Sequence, residues 1–454
     1  MISKKNLQVG GYLHDAKGNY FSGKRLEEYF ANIDTIEVFH KLVSEANGCF
    51  FVIYYAQDTV YAAVDRIRSI PIFYKQAKDS IELSLKATQL TPLNTSALQN
   101  THPSILAEYL ATGYVSGNDT LHAEIHQIPA GHYLIHKIGR GAELVPYYQF
   151  IHCNVDESNS SKLCLELDKI HSNLANRLVE SLNGQTAVIP LSGGYDSRLI
   201  AYLLKISRYP KVICFSYGSP NNPESEISQA VAKELELPWK FIPHSRQSWH
   251  KAFNSSDRKE FFKFSVNATS SAHIQDFLAV KTLRNKGIIP EDSIFIPGHS
   301  ADFLEGSHLP DAYEHKHDFS RDDLYRQILN KHYTLWNWQE DSYYKDFCSR
   351  IERTLQIKSL MRPDHAASLF EQWDWQERQA KFIVNSVRVY EFFGYQWRLP
   401  LWDSELMNFW ARVPLKLRLK RSLWLQYAAA YLPIEASVLS NPHQIGRASC
   451  RERV

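Results

Sequence analysis

The sequence predicts an α/β protein in two parts: a β-rich N-terminal domain, then a doubly wound parallel sheet with helical cover toward the C-terminus. Short aromatic and β-branched runs, separated by polar turns, fill Gly48 to Leu85. Between Ala187 and Gly298, apolar runs of strand length alternate with runs of helical period. Beyond Leu309 the chain is helical in character and rich in Trp and Tyr, with no Gly- or Pro-rich spacer.

In chain order, GCFFVIYYA, TVYAAVDR, IPIFYKQ and SIELSL suggest an antiparallel meander. Ser104 to Tyr114 reads as a short helix, and GHYLIHKIG and ELVPYYQF carry the β-rich region to Phe150. The polar HCNVDESNSS has the composition of a linker and places a domain boundary near residues 151 to 160. Leu163, Leu167, Ile170, Leu174 and Leu178 then recur at three- and four-residue spacing, the apolar face of a helix. After them come strand-like AVIPL (187–191), helix-like RLIAYLLKI, strand-like KVICFSYG (211–218) and helix-like ESEISQAVAKELE. Strand-like WKFIP, a helix around DFLAVKTLRNK and strand-like SIFIPG (293–298) complete the alternation, and the helices beyond Leu309 are expected to pack on this α/β core.

A chain of 454 residues with 44% hydrophobic residues can bury two or three cores. Its six Cys are scattered with no CxxC pair, which argues against a disulfide framework or a thiolate zinc site and fits a reducing compartment. The longest apolar stretch, Cys49 to Ala56, is far too short to span a bilayer, and no apolar run follows the charged start MISKKNLQVGG. The expectation is a soluble, cytoplasmic protein.

The last ten residues, IGRASCRERV (445–454), look like a translated sequencing adapter, so the natural chain is expected to continue past about Gln444. That tail carries three Arg and one Glu; without it, 48 basic residues face 48 acidic ones. A balanced charge speaks against nucleic-acid and membrane partners and leaves a homodimer open.

The stretch VIPLSGGYDSRLIAYLL (188–204) sets Ser192, Gly193, Gly194, Asp196 and Ser197 at a strand-to-helix junction, where doubly wound sheets bind ligands. Two glycines let a ligand approach the backbone, and the first N–H groups of the helix are unpaired donors, so the turn suits phosphate or pyrophosphate. A Walker-type loop would add Lys-Ser or Lys-Thr; this turn offers Asp196 and Ser197. A carboxylate in an anion site implies a bridging cation, here Mg²⁺ with several waters. The combination suits cleavage of ATP between the α and β phosphates, with AMP passed to an acyl acceptor.

SGGYDS resembles the SGGxDS pyrophosphate loop of the asparagine-synthetase-type amidotransferases, in the adenine-nucleotide α-hydrolase (PP-loop) group. FSYG (215–218) is similar to the strand flanking the adenine, and ESEISQAVAKELELP to the helix after it. PGHSADFLEG (297–306) resembles the family's SGEGADELFGG, which makes Asp302 the second metal-binding carboxylate. VYEFFGYQWRLPLWDSEL (389–406), RIRSIPIFY (66–74) and LAEYLATGYVSGNDTLHAEIHQIPAGHYL (106–134) also match family segments, intermittently but in the right order from about residue 48 to 433.

The resemblance implies a class II amidotransferase-type (Ntn-hydrolase-like) domain over 1–150 and an ATP-binding, HUP-like synthetase domain over 161–444. It implies that Leu191, Ser192, Gly193, Gly194, Asp196, Ser197, Phe215, Ser216 and Gly298 bind the nucleotide, and that Asp196 and Asp302 hold Mg²⁺.

Glutamine-using members begin, after Met removal, with a nucleophilic Cys. This chain begins Met-Ile-Ser, and Cys49, inside a predicted strand, reads as core. The segment before it is also short, so the N-terminal domain is expected to be a remnant without glutaminase activity. Ammonia or an amine would be the attacking group.

In the synthetase half His299 stands at the family's first Glu of SGEGADE, Phe303 at its final acidic position, and Arg421, beside Lys420, at its late Lys. His299 would serve as a proton shuttle or line the pocket as a satisfied polar residue, and Arg421 or Lys420 as a phosphate-holding cation. The resemblance implies an ATP-dependent, AMP- and pyrophosphate-forming ligase acting on a small-molecule or peptide carboxylate. Aspartate as in asparagine biosynthesis, a specialised acid as in β-lactam synthetases and lasso cyclases, and a non-catalytic nucleotide-binding role remain open. RNA modification fits poorly with the balanced charge. His122 and His126 have the spacing of two metal ligands on one helical face but no third ligand, and WNWQEDSYY (336–344) reads as packing.

Overall fold

The computed structural model describes residues 6–77, 80–91, 100–153, 159–338 and 343–432. Its contacts divide the chain into two units, residues 1–155 with 266–271 and 308–385, and residues 156–265 with 272–307 and 386–454. The expected linker is described only outside 154–158, and the expected tail, 445–454, lies wholly outside the described residues.

The first unit holds β1 (Leu7–His14), β2 (Tyr20–Ser22), β3 (Asn47–Tyr55), β4 (Thr59–Val64), β5 (Phe73–Gln76), β6 (Ile81–Ser84), β7 (His126–Gln127), β8 (His132–Lys137) and β9 (Gly141–Pro146). One antiparallel sheet runs β2-β1-β3-β4-β8-β9, and a second runs β6-β5-β7. The unbroken apolar run of β3 follows from burial on both faces. Phe50, Val52 and Tyr54 join Leu26, Phe30, Phe39 and Val43 from the helical segments before β3, while Phe51 and Ile53 join Ile72, Tyr74 and Ile128 around the second sheet. Full burial of each such side chain contributes about 1.5–3 kcal/mol.

The expected single meander is therefore two pairs in two sheets: β3 with β4, and β5 with β6. The chain changes sheet at Asp65, whose buried carboxylate accepts N–H bonds from Phe50, Ile67 and Ser69. Arg68, in the left-handed region at φ 53°, completes that turn. β1 has no counterpart among the sequence expectations. Its approach to β3 rests on glycine: a Cβ at Gly11 would lie 2.0 Å from the Cys49 carbonyl oxygen, and one at Gly48 2.3 Å from that of Tyr12. The helix Pro103–Thr112 matches expectation and ends on left-handed Gly113. His126 lies in β7 and His122 outside any helix, so the two do not share a helical face.

By its contacts the helical stretch 308–385 groups with the first unit, while the helices after it group with the second. The stretch supplies partners for the first unit's buried charges. Arg350 donates to Glu108 at 2.9 Å and to Asp119 at 3.0 Å, and Lys381 donates to the carbonyls of Val115 and Gly117. Trp375 Nε1 donates to the Arg66 carbonyl at 2.9 Å. Asp374–Ile383 is a π-helical stretch, a rare geometry, and Asp374, Glu377 and Lys381 within it are fully buried. Trp338, from the aromatic stretch read as packing, is buried; residues 339–342 of that stretch lie outside the described residues.

In the second unit the helix Ser160–Leu182 buries the predicted stripe Leu163, Leu167, Ile170, Leu174 and Leu178, and the Asn159 side chain caps it by accepting from Lys162 N–H. β10 (Ala187–Pro190), β11 (Val212–Gly218), β12 (Trp239–Pro243), β13 (Ile294–Phe295) and the short strand Gln396–Trp397 form a parallel sheet, ordered β12-β11-β10-β13 and then Gln396–Trp397. The strand order reverses between β10 and β13, so the loops after these two neighbours leave the sheet at its topological switch point. Helices Tyr195–Ile206, Pro223–Glu234 and Phe277–Asn285 fall where the alternation places them. Arg246–Phe253 and Ser256–Ser265 are further helices that the pattern does not mark. Helical cover comes from Arg388–Phe392, Ser404–Arg412 and Ser422–Tyr431. Arg177 on the long helix joins Asp403 through two bonds of 2.7 and 2.9 Å. Among the described residues no helix is long and apolar enough to cross a membrane.

Candidate functional site

Two loops meet at this switch point, one after β10 and one after β13. Leu191 N–H still donates to the Phe215 carbonyl at 2.8 Å, continuing the sheet for one residue. Ser192 then turns the chain: its N–H donates to Ser197 Oγ at 3.0 Å, the two hydroxyl oxygens lie 3.1 Å apart, and Gly194 N–H donates to Ser192 Oγ at 3.1 Å. Arg198, buried, holds the loop by donating to the Gly193 carbonyl at 2.7 Å. The helix beginning at Tyr195 is capped by Gly194, which has no side chain to satisfy the first N–H groups.

Packing does not explain both glycines. A Cβ on Gly193 would meet protein atoms no closer than 3.6 Å, and neither Gly193 nor Gly194 has a positive φ, so protein contacts alone would tolerate alanine at 193. Gly298 is the opposite case. A Cβ there would sit 2.5 Å from Ser197 N, so the β13 loop can lie against the helix start only as glycine.

That close approach sets the Asp196 carboxylate against the start of the short helix carrying Asp302. Asp302 N–H donates to Asp196 Oδ2 at 3.1 Å, and Asp302 Oδ2 accepts from Ser307 Oγ at 3.1 Å. Burial and the neighbouring Asp302 charge push Asp196 up to about 7, while Arg421 pulls it down. Arg421 Nη2 is 3.6 Å from Asp196 Oδ1, and its guanidinium is bonded to Glu305. Burial raises Glu305 to about 8 against the pull of Arg421. Lys420 and Arg421 are consecutive left-handed residues at φ 55° and 60°, and Ser300 at φ 83° starts the short helix carrying Asp302. Strained backbone of this kind concentrates at functional sites.

His299 Nε2 lies 3.0 Å from Ser386 Oγ. Phe215 and Ser216 on β11 are buried, and the Phe215 ring meets Phe295 of β13 edge-on at 6.1 Å. Ser192 to Ser197, Gly298 and Asp302 lie on the loops after β10 and β13, and Phe215 and Ser216 lie in the neighbouring strand β11.

Three further groups escaped sequence reasoning. Glu305 follows Asp302 by three residues, a spacing that shares a helical face and was the available signal. Ser386 lies 87 residues from His299, with no local pattern to mark it. Asp276 accepts from both Tyr217 and Tyr390 beyond the end of β11, where His244 stacks on Tyr217 at 5.1 Å.

Two family profiles match the chain. The Asparagine synthase family profile matches residues 183–441, and the Glutamine amidotransferase domain profile matches residues 34–148. No curated protein matches the chain. Among solved structures, NMN synthetase from Francisella tularensis is similar at 15% identity and TM-score 0.24, over 49% of this chain and 94% of that one. The allosteric regulatory enzyme of purine biosynthesis is similar at 11% identity and TM-score 0.21, over 66% of this chain and 57% of that one. Glutamine PRPP amidotransferase from B. subtilis, complexed with ADP and GMP, is similar at 10% identity and TM-score 0.21, over 65% and 62%. With more than half of its residues inside the first profile, the chain belongs to the asparagine synthase family.

Proposed function

We propose that this chain is an ATP-dependent carbon–nitrogen ligase that adenylates a small-molecule or peptide carboxylate, releases pyrophosphate and passes the acyl group to ammonia or an amine. The observation that carries the reading is the meeting of Asp196 and Asp302, 106 residues apart in sequence, beside a glycine-softened helix start at the sheet's switch point. In this reading Ser192, Gly193, Gly194 and Ser197 hold pyrophosphate through N–H groups and hydroxyls, and Leu191, Phe215, Ser216 and Gly298 line the nucleotide.

The donor set suits Mg²⁺. Burial first, and the Asp302 charge second, raise Asp196, and a divalent cation would relieve both the desolvation and the repulsion. Among the described residues no group of three or more His, Cys, Asp and Glu is arranged for a metal. Mg²⁺ characteristically takes one or two carboxylates and completes its shell with phosphate oxygens and water. Bound there, it would neutralise charge on the leaving pyrophosphate.

Arg421, with Lys420 beside it, presents a fixed cation to the phosphates. His299, oriented by Ser386, takes the proton from the attacking nitrogen. Cys49, 2% exposed inside β3, is core and no nucleophile, which favours ammonia or a substrate amine over glutamine as the nitrogen source.

The test is ATP–pyrophosphate exchange and AMP release by the full chain with Mg²⁺, across aspartate and other candidate carboxylates. Exchange is expected with one acid class, and Asp302→Asn should lower it by about 100-fold or more. Tight ATP binding without AMP for any acid and amine pair would overturn the catalytic reading and leave a nucleotide-binding protein.

A further inference from the structure

Glu305 is absent from the site as read from sequence, yet it organises the side chain nearest Asp196. Its carboxylate is 2% exposed and accepts from Arg421 Nε at 2.7 Å and from Nη2 of the same guanidinium. The same Nη2 lies 3.6 Å from Asp196 Oδ1, beyond hydrogen-bond length. Its carbon lies 5.6 and 5.8 Å from the ring centroids of Tyr195 and Trp424. The backbone enforces this arrangement. Gly306, at φ 88°, packs so tightly that a Cβ would lie 2.5 Å from the Arg418 carbonyl oxygen, which ties the segment carrying Glu305 to the turn carrying Arg421. The short helix Ala301–Leu304 thus presents Asp302 to Asp196, and Glu305, its cap, to Arg421.

A buried carboxylate is a costly way to fill space, because apolar residues of similar volume often serve stability as well or better. Here it has a geometric effect. An unrestrained Arg loses rotamer freedom when it binds a ligand, and a guanidinium fixed before the ligand arrives loses little more on binding. Held side-on by Glu305, Arg421 also stops short of Asp196. Released, it would close that gap, pair with Asp196 directly and compete with a cation for the carboxylate.

We propose that Glu305 is a positioning residue, which aims Arg421 at the bound polyphosphate and keeps it off the carboxylate that takes the cation. The proposal rests on the nucleotide reading above. It is tested by calorimetric titration of the full chain with ATP at fixed Mg²⁺, and with Mg²⁺ at fixed ATP. The variants are Glu305→Gln, Arg421→Ala and the double substitution, with thermal unfolding as a check on folding.

Glu305→Gln should weaken ATP binding by about tenfold and raise the Mg²⁺ needed for half-saturation several-fold. The double variant should bind ATP no more weakly than Arg421→Ala, and its Mg²⁺ requirement should return toward that of the unaltered protein, a reversal that a merely structural role would not produce. Should Glu305→Gln fail to fold, Glu305→Asp, one methylene shorter, should show the same two effects at smaller size. Unaltered ATP and Mg²⁺ affinities in a folded Glu305 variant, or additive losses in the double variant, would overturn the positioning role and leave the nucleotide reading intact. Absence of ATP binding by the unaltered chain would overturn both.

Discussion

Asp196 and Glu305 are carboxyl groups that burial makes harder to ionise than in water, while Arg421 pulls both the other way. Burial, with Asp302 beside Asp196, lifts them to about 7 and about 8, against about 4 in an unfolded chain. Folding therefore takes up protons. The stabilisation is complete below pH about 4 and is lost as pH rises through the folded values. His171, His244 and His332 run the other way: burial holds them at about 3, 4 and 3, and their contribution levels off above pH about 6.5. Between pH 6.5 and 9 the carboxylates alone of these set the slope. Thermal unfolding followed by circular dichroism, without metal, should show Tm falling by several degrees across that range. Asp302→Asn, which removes the repelling charge, should flatten the part near pH 7. A Tm that rises over the interval would contradict this assignment.

At the level of elements, the strand-loop-helix from Ala187 to Ile206 was readable because everything it needs is local: an apolar strand, two glycines, an acidic first turn and a helical stripe. The β13 loop was readable only as a resemblance, since what makes Gly298 necessary is the backbone of Ser197, about a hundred residues earlier in the chain. Gly298→Ala must push two loops apart. Overpacking of this kind costs about 1–3 kcal/mol, and the same displacement separates Asp302 from Asp196. Gly193→Ala, with ordinary contacts on every side, should leave stability unchanged within about 0.5 kcal/mol while weakening ATP binding. Urea unfolding and ATP titration of the two variants separate these effects, and equal stability losses would show that the glycines share one role.

On the scale of the whole molecule, each unit is assembled from separated stretches of chain. Helical period and aromatic content announce helices after Leu309, yet nothing in them says which core they cover. The answer lies in buried charge: Glu108 is fully buried and finds Arg350, and the carbonyls of Val115 and Gly117 find Lys381. An isolated fragment ending at residue 155 would leave Glu108 buried without its cation, a loss of about 3–5 kcal/mol for one broken pair. Such a fragment should not fold on its own, giving collapsed amide dispersion in a proton–nitrogen NMR spectrum, whereas Arg350→Ala in the full chain should unfold at distinctly lower urea. A well-dispersed spectrum from the fragment would show that the later helices are dispensable to it.

Local pattern decided the alternation of strands and helices from Ala187 onward, the apolar stripe of the long helix and the glycine-bearing strand-to-helix turn of Ser192 to Ser197, because each is expressed within a few residues of itself. Tertiary structure alone decided the division of β3 to β6 between two sheets, the allegiance of residues 308–385, the pairing of His299 with Ser386 and the hold of Glu305 on Arg421. Those depend on which buried polar group must find a partner, and the partner lies tens to hundreds of residues away, where no periodicity reaches.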